Sequence, residues 1–174
     1  MQSKYPSMPK DNFINRGWGI CAFFSAVILI TIVMAGCRHD KVNELYHKFP
    51  DKTWGRFNLL RFEIPVTQVD KPYNVYLFAR FTPAFVYEKL NFNMVMNSTD
   101  GEERINAYEM EVKTKSGAFN GKCIQDTCEA TILLKRELHI GKPGILKIEI
   151  ENLTPRLVTE GVGGIGIRMV PSGK

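Results

Sequence analysis

The chain has 174 residues, of which 44% are hydrophobic and 24% are charged, a composition typical of one globular domain. This length excludes the large doubly wound and barrel enzymes and leaves no room for two full domains. The net charge is +5, but three basic residues and one acidic residue lie in 1–36, which leaves +3 on the remainder. Such a weak, scattered excess does not support the clustered phosphate contacts of a nucleic-acid-binding protein.

The N-terminal segment predicts a membrane-directed leader. Residues 18–36 form an uncharged, largely apolar run, and three basic residues precede it, as in a secretory signal peptide. The run ends in Met-Ala-Gly-Cys at 34–37, which resembles a bacterial lipobox. In a lipobox, two small residues fit the narrow groove of the signal peptidase, and the cysteine thiol receives a diacylglyceryl group. The pattern therefore predicts a lipoprotein signal peptide over 1–36 and lipid attachment at Cys37.

An uncleaved signal anchor is the alternative interpretation of this leader, because about twenty apolar residues can span a bilayer. We favour the lipoprotein, since small residues and a cysteine at the end of the run have no role in an anchor. Both interpretations tether the domain to a membrane. Arg38 stands where many Gram-negative lipoproteins of the inner membrane carry a retention aspartate. We therefore expect outer-membrane placement, with both the periplasmic and the surface orientation open.

Residues 37–56 are predicted to be a tether that merges into the folded domain. This segment is polar with scattered aromatic residues, and a proline and a glycine interrupt any long helix, although 42–48 has room for two helical turns. From Phe57 the hydrophobic period changes to two, as in half-buried strands. A β domain is therefore predicted over 57–174.

Seven segments with alternating or β-branched apolar residues are predicted to be strands, with turn sequences between them. They are 57–66, 73–82, 90–97, 104–115, 130–138, 145–151 and 162–170. The sequence between them shows no amphipathic helix of ten residues, which argues against a parallel βαβ topology. The spacing favours an all-β fold, an antiparallel, jelly-roll-like β-sandwich of about seven to nine strands.

The cysteines divide between the leader and the domain. Cys21 lies in the leader and Cys37 is the predicted lipid site, so Cys123 and Cys128 remain. In an exported protein these two most simply form a disulfide that closes a short loop. A metal site would need two more ligands, and His139 is the one histidine that follows them. A catalytic C-x-x-C motif has two intervening residues, not four. We therefore predict a Cys123–Cys128 disulfide and expect neither a metal nor a cofactor.

The sequence carries no G-x-S-x-G, H-E-x-x-H, P-loop or EF-hand pattern. The glycine-rich residues 161–166 superficially match a dinucleotide-binding loop, but that loop must open a helix. We interpret them as a strand whose glycines allow close backbone approach. Glutamate pairs at 102/103, 109/111 and 149/151 are typical of a solvated face, and retaining glycoside hydrolases also use paired carboxylates. No catalytic residue is predicted, and a tethered hydrolase is the third hypothesis for function.

Several motifs together resemble a known family. The most specific is the Pro-Tyr-Asn-Val-Tyr-x-x-x-Arg strand at 72–80, followed by an aromatic-rich segment at 85–96. With the lipobox and the glycine-containing segments at 117–121 and 144–168, it resembles the gliding-motility lipoprotein GldH family over most of 37–170. The resemblance implies a β-sandwich and a role with partner proteins in outer-membrane gliding and type IX secretion, without an assigned enzymatic activity.

The first hypothesis is therefore a non-catalytic envelope lipoprotein whose sandwich docks onto a protein partner. The alternative is a glycan-binding module, because jelly-roll sandwiches display aromatic rings as sugar platforms. Half-buried strand packing would also explain such aromatic residues. An exposed aromatic row would favour the glycan, and an exposed apolar patch rimmed by charge would favour the protein partner. The candidate contact residues are Tyr73, Tyr76, Arg80, Phe85 and Tyr87.

Lipid attachment at Cys37 is testable in cells. Metabolic labelling with an alkyne fatty acid should mark the wild-type chain. The Cys37→Ser variant should lose the mark, because no cysteine other than Cys37 ends the apolar run. Label that persists on this variant at full length would contradict the prediction.

Overall fold

The computed structural model describes residues 42–172, so the predicted leader and Cys37 lie outside the described residues. All described residues belong to one compact unit. These residues form eleven strands: β1 (Asn43–Lys48), β2 (Thr53–Gly55), β3 (Leu60–Val66), β4 (Tyr73–Phe81), β5 (Lys89–Asn97), β6 (Glu103–Glu111), β7 (Lys122–Ile124), β8 (Thr127–Leu138), β9 (Gly144–Asn152), β10 (Val158–Glu160) and β11 (Val162–Pro171). Within 42–172 there is no helix of the length and hydropathy that a membrane span needs.

Two large antiparallel sheets enclose the core. One has five strands in the order β1-β11-β4-β8-β7, and the other has four in the order β3-β9-β5-β6. A two-stranded ribbon, β2 with β10, continues the β1–β11 pair. This arrangement confirms the predicted antiparallel β-sandwich. Eight of the eleven strands have six or more residues, and the other three have three residues each.

Alternation of apolar and polar residues along the long strands determines which side chains face the core. In β3, Leu60, Phe62 and Ile64 are buried, whereas Arg61 and Glu63 between them are exposed. The same alternation in the other long strands supplies the rest of the core, which includes Val75, Leu77, Phe92, Met94, Ile148, Ile165 and Ile167. Burial of each such side chain contributes roughly 1.5–3 kcal/mol. A slip of one residue would turn these side chains to solvent, so burial also fixes the strand register.

All seven predicted segments are strands in the structure, namely β3, β4, β5, β6, β8, β9 and β11. The predicted segment 104–115 is longer than β6, which ends at Glu111; Lys113 then makes an isolated bridge to Phe119 across a turn at 115–116. The helical option for 42–48 is wrong, since β1 pairs there with β11. β1 and β2 both fall inside the predicted tether, so the stretch from Asn43 onward belongs to the sandwich. These short strands are fixed by their partners rather than by their own hydrophobic pattern.

An aromatic ring lies flat on the outer face of the five-stranded sheet. Phe78 is fully buried although it is not part of the inner core. Its ring is parallel to that of Tyr46, with 5.8 Å between the centroids, and the Arg168 guanidinium covers it at 4.7 Å. The space for the ring comes from Gly166, since a Cβ there would lie 2.2 Å from the Phe78 ring. The glycine-rich segment is thus a strand, with a β-bulge after Val162, that admits close approach.

Gly166→Ala should lower the free energy of unfolding by about 1–3 kcal/mol, because the added methyl group overpacks the Phe78 ring. It would also lie 2.8 Å from the carbonyl oxygen of Leu45. Gly141→Ala is the matched control, since its Cβ would meet nothing closer than Asp100 Oδ2 at 3.7 Å. Urea unfolding of the two purified variants measures the difference. Equal midpoints would refute this account of Gly166.

Candidate functional site

Two of the predicted contact residues are inside the protein. Tyr73 is 4% exposed and Phe85 is fully buried, so neither can touch a partner, and their prediction as contact residues is wrong. Tyr73 faces inward at the start of β4, where its hydroxyl donates to the Gln68 carbonyl at 2.9 Å. Phe85 packs against Phe81, with 4.5 Å between the ring centroids. Both side chains therefore stabilise the sandwich.

The other three predicted residues do not form one surface. Tyr76 and Arg80 lie on the outer face of the five-stranded sheet, both half-buried. Arg80 pairs with Glu129 at 3.1 Å, and its guanidinium lies 4.8 Å from the centre of the Tyr46 ring. Tyr87 instead packs against the core, and its buried hydroxyl has no hydrogen-bond partner among the described residues. The structure thus contains no exposed row built from the predicted aromatic residues.

A polar cleft of about 360 Å³ lies beside the edge of the five-stranded sheet. It is lined by Glu111, Asn120, Gly121, Lys122, Glu129, Thr131 and Arg168. The Glu129 carboxylate in this cleft already forms ion pairs, with Arg80 at 3.1 Å and with Arg168 at 3.6 Å. In the part of the chain that the structure describes, no group of three His, Cys, Asp or Glu residues could hold a metal ion. The cleft therefore offers a poor match to the paired free carboxylates of a hydrolase.

The predicted disulfide joins the two strands of a hairpin at the edge of the same sheet. Cys123 in β7 lies directly opposite Cys128 in β8, and the two sulfur atoms are bonded. The turn between them holds Gln125 in the left-handed region, with φ of 52°, which is costly for a residue other than glycine. The disulfide and the strand pairing together hold this turn in place.

Three exposed apolar side chains lie on two adjacent segments at the free end of the β2–β10 ribbon. Phe57 is 84% exposed, Leu157 67% and Val158 48%. The Arg56 amide donates to the Leu157 carbonyl at 2.8 Å, so the segments that carry them are adjacent. We call the surface formed by Arg56, Phe57, Arg156, Leu157 and Val158 the Phe57 tip. It combines exposed apolar side chains with two arginines, the features that the docking hypothesis requires.

A buried tryptophan fixes the turn that presents Phe57. The Asn58 amide donates to the Gly55 carbonyl at 3.0 Å, which closes a β-turn with Phe57 as its third residue. Trp54 is fully buried, and its indole Nε1 donates to the Asn58 carbonyl at 2.9 Å. The core therefore holds the turn from below, and the phenyl ring points outward from a rigid base.

A buried asparagine fixes the ribbon to the rest of the sandwich. Asn152, at the end of β9, donates through Nδ2 to the Trp54 carbonyl at 3.1 Å and to Thr159 Oγ1 at 3.0 Å. Its Oδ1 accepts from the Thr154 amide at 2.9 Å and from the Thr154 hydroxyl at 2.8 Å. Both strands of the ribbon are thereby bonded to one side chain of the four-stranded sheet.

The Phe57 tip lies at the opposite end of a long ladder from the point where the chain enters the domain. At one end Asn43, next to Val42, pairs with Met169. At the other end, beyond a corner at 49–52, Gly55 pairs with Val158. This site was not predicted from the sequence, because Phe57 opens a segment interpreted as a strand. The turn formers Gly55 and Asn58 on either side of it were the available signal.

A comparison with protein families identifies the family of this chain. A profile of the GldH lipoprotein family matches residues 41–169. The chain belongs to the GldH lipoprotein family. This confirms the resemblance found in the sequence, and it implies association with a membrane of the cell envelope and a link to gliding motility. GldH lipoproteins are not a known enzyme family.

No curated protein matches the chain. Among solved structures, it is similar to TmCBM61 in complex with beta-1,4-galactotriose, at 12% identity and a TM-score of 0.28, over 77% of this chain and 88% of that one. It is also similar to the Tobacco streak virus coat protein dimer, at 12% identity and a TM-score of 0.14, over 70% and 92%. Scores this low carry no argument about function.

Asn152→Ala should lower the free energy of unfolding by about 3 kcal/mol, because it removes the buried side-chain partner of the Trp54 carbonyl and the Thr154 amide and one hydrogen bond from each of the Thr154 and Thr159 hydroxyls. Asn93→Ala is the control, since Asn93 makes a single exposed hydrogen bond, to Glu151 at 3.3 Å. Its expected change is within about 0.5 kcal/mol. Urea unfolding measures both values. A loss at Asn152 no larger than that at Asn93 would show that the buried network adds nothing.

Proposed function

We propose that this chain is a non-catalytic, lipid-anchored envelope protein that binds a protein partner through the Phe57 tip. The observation that carries the proposal is a phenyl ring 84% exposed on a turn held by buried groups. The family supplies the envelope setting. Within that setting, we propose lipid attachment at Cys37, placement in the outer membrane, and a role as one component of a gliding or secretion assembly.

The energetics of binding favour the Phe57 tip as a docking site. Aromatic and arginine side chains dominate the affinity of protein interfaces, and truncation of a central anchor commonly costs about 2 kcal/mol or more. Binding also has to immobilise the groups that make contact. Here the turn is already ordered by Trp54 and the ribbon by Asn152, so little further ordering is needed. The apolar area of Phe57, Leu157 and Val158 is then available for binding.

The alternatives have weaker support. A glycan platform needs a row of exposed aromatic rings, but of the predicted residues Tyr73 and Phe85 are buried, and the exposed Phe57 is a single ring beside the aliphatic Leu157 and Val158. A hydrolase needs converging free carboxylates, but Glu129 in the cleft is paired with Arg80. Protein docking through the Phe57 tip uses the exposed Phe57, Leu157 and Val158, on segments held by buried hydrogen bonds.

The experiment is photo-crosslinking in cells that produce the full chain. A photo-reactive phenylalanine at position 57 should give a protein adduct of one discrete mass. The matched control is the same residue at position 105, because Ile105 is also an exposed apolar side chain, 65% accessible, on the outer face of the four-stranded sheet. In the position-57 chain, Leu157→Ala should lower the adduct yield severalfold, because it removes neighbouring contact area.

Two results would contradict the proposal. Absence of a protein adduct at position 57, or equal adducts at 57 and 105, would remove the Phe57 tip as a docking site. Turnover of a glycan or peptide substrate by the purified chain would overturn the non-catalytic interpretation. Circular dichroism of each purified variant verifies that the sandwich is intact.

A further inference from the structure

We infer that the partner's binding site is an apolar pocket rimmed by carboxylates, an inference that rests on the proposed docking at the Phe57 tip. The inference starts from which arginines already pair with a carboxylate of the domain. Residues 42–172 contain seven arginines, and four of them pair with a carboxylate within the domain. The paired residues are Arg61 with Glu149, Arg80 with Glu129, Arg104 with Glu102, and Arg168 with Glu44.

Two of the remaining three arginines stand on the Phe57 tip. Within residues 42–172, Arg56 and Arg156 have no ion pair, and the third such residue is Arg136 on β8. A guanidinium presents five donors in a planar fork that matches a carboxylate in a bidentate way. Neither arginine of the tip is paired with a carboxylate of the described domain, and of the two Arg156 is exposed and Arg56 is half-buried.

The tip has no negative charge of its own to compete with that partner. No Asp or Glu lies in 52–62 or in 152–159. Of the carboxylates that border these ranges, Glu63 faces Lys147 at 3.8 Å and Glu151 accepts from Asn93 at 3.3 Å. Asp51 precedes Thr53, at the far end of β2 from Gly55. Glu160 lies opposite Thr53, at the other end of the ribbon from Gly55 and Val158. The surface complementary to the tip thus combines an apolar floor for Phe57 with carboxylates around it.

Anionic lipid is the other surface that attracts arginine beside exposed apolar side chains. Position in the fold favours a protein instead. The Phe57 tip lies at the opposite end of the β1–β11 ladder from Val42, where the chain enters the domain. A patch that served to hold the domain against its own membrane would be expected near that point. The rigid turn also suits a pocket of defined shape more than a fluid surface.

Charge reversal tests the inference on the same crosslink. In the chain with the photo-reactive residue at 57, Arg156→Glu should lower the adduct yield about tenfold or more, because it sets like charges against each other. Arg136→Glu is the matched control, an exposed arginine without an ion pair in the described domain, and should stay within about twofold. Arg156→Lys should fall between them, since lysine keeps the charge without the fork.

The adduct itself gives the second measurement. Peptide mapping should place the crosslink beside Asp or Glu residues of the partner, and replacing them by Lys should restore the Arg156→Glu adduct. An unchanged yield with Arg156→Glu, or a crosslinked region without acidic residues, would overturn the inference but leave the proposed function standing. Loss of the adduct in the unsubstituted background would remove both.

A vesicle assay tests whether the Phe57 tip binds anionic lipid. The purified chain is mixed with vesicles of phosphatidylglycerol and phosphatidylcholine, and with phosphatidylcholine vesicles as the reference. Co-sedimentation should be unaffected by Arg156→Glu. Vesicle binding that depends on Arg156 and on the anionic lipid would assign the tip to a membrane and overturn the inference.

Discussion

The side chain of Asn152 is the constraint on which the far end of this sandwich depends. It belongs to the four-stranded sheet, yet its amide bonds to Trp54 and Thr159, which continue the edge of the five-stranded sheet. A buried amide without partners is costly, so such a network forms completely or destabilises the fold. The backbone positions of β2 and β10 are therefore set by hydrogen-bond geometry as well as by apolar packing. A second link between the sheets, from the Tyr108 hydroxyl to the Leu134 carbonyl at 2.7 Å, supports the same arrangement.

On the outer face of the five-stranded sheet, charged and aromatic side chains contact one another and stabilise the fold. Arg168 lies between Glu44 at 2.7 Å and Glu129 at 3.6 Å, and its guanidinium covers Phe78. Burial raises the pKa of the Tyr46 phenol, which stays neutral beside Arg80 at neutral pH. These contacts connect β1, β11, β4 and β8, and they leave the arginines with less capacity for an outside ligand. Exposed ion pairs contribute little each, so the covered ring is the main source of stability here.

The long strands were predictable because their pattern is local. Leu60, Phe62 and Ile64 alternate with charged residues, and the pleat of a strand alone sends them inward. The same parity already grouped Tyr73 with the buried Val75, so its burial was available from the sequence. Phe78 has the outward parity and is nevertheless buried, because the space for it comes from Gly166 on another strand. No local pattern carries that information.

The candidate site depended even more on non-local pairing. The Phe57 tip joins residues about a hundred positions apart, through the bond from the Arg56 amide to the Leu157 carbonyl. The short strands β2 and β10 have three residues each, too few to show a period. The family, in contrast, was recognisable because its most specific motif lies in one strand at 72–80. Motifs contiguous in sequence identified the family, whereas the residues of the Phe57 tip come together only in the fold.

The small size of the Phe57 tip fits a protein that is held at a membrane. Three apolar side chains and two arginines bury less area than the roughly 1,600 Å² of a standard interface. Such a contact gives modest affinity between freely diffusing partners, even when its geometry is fixed in advance. Anchoring at Cys37 would confine the chain and an envelope partner to one surface and raise their effective concentration. In the proposed function, the anchor would supply proximity and the tip would supply selectivity.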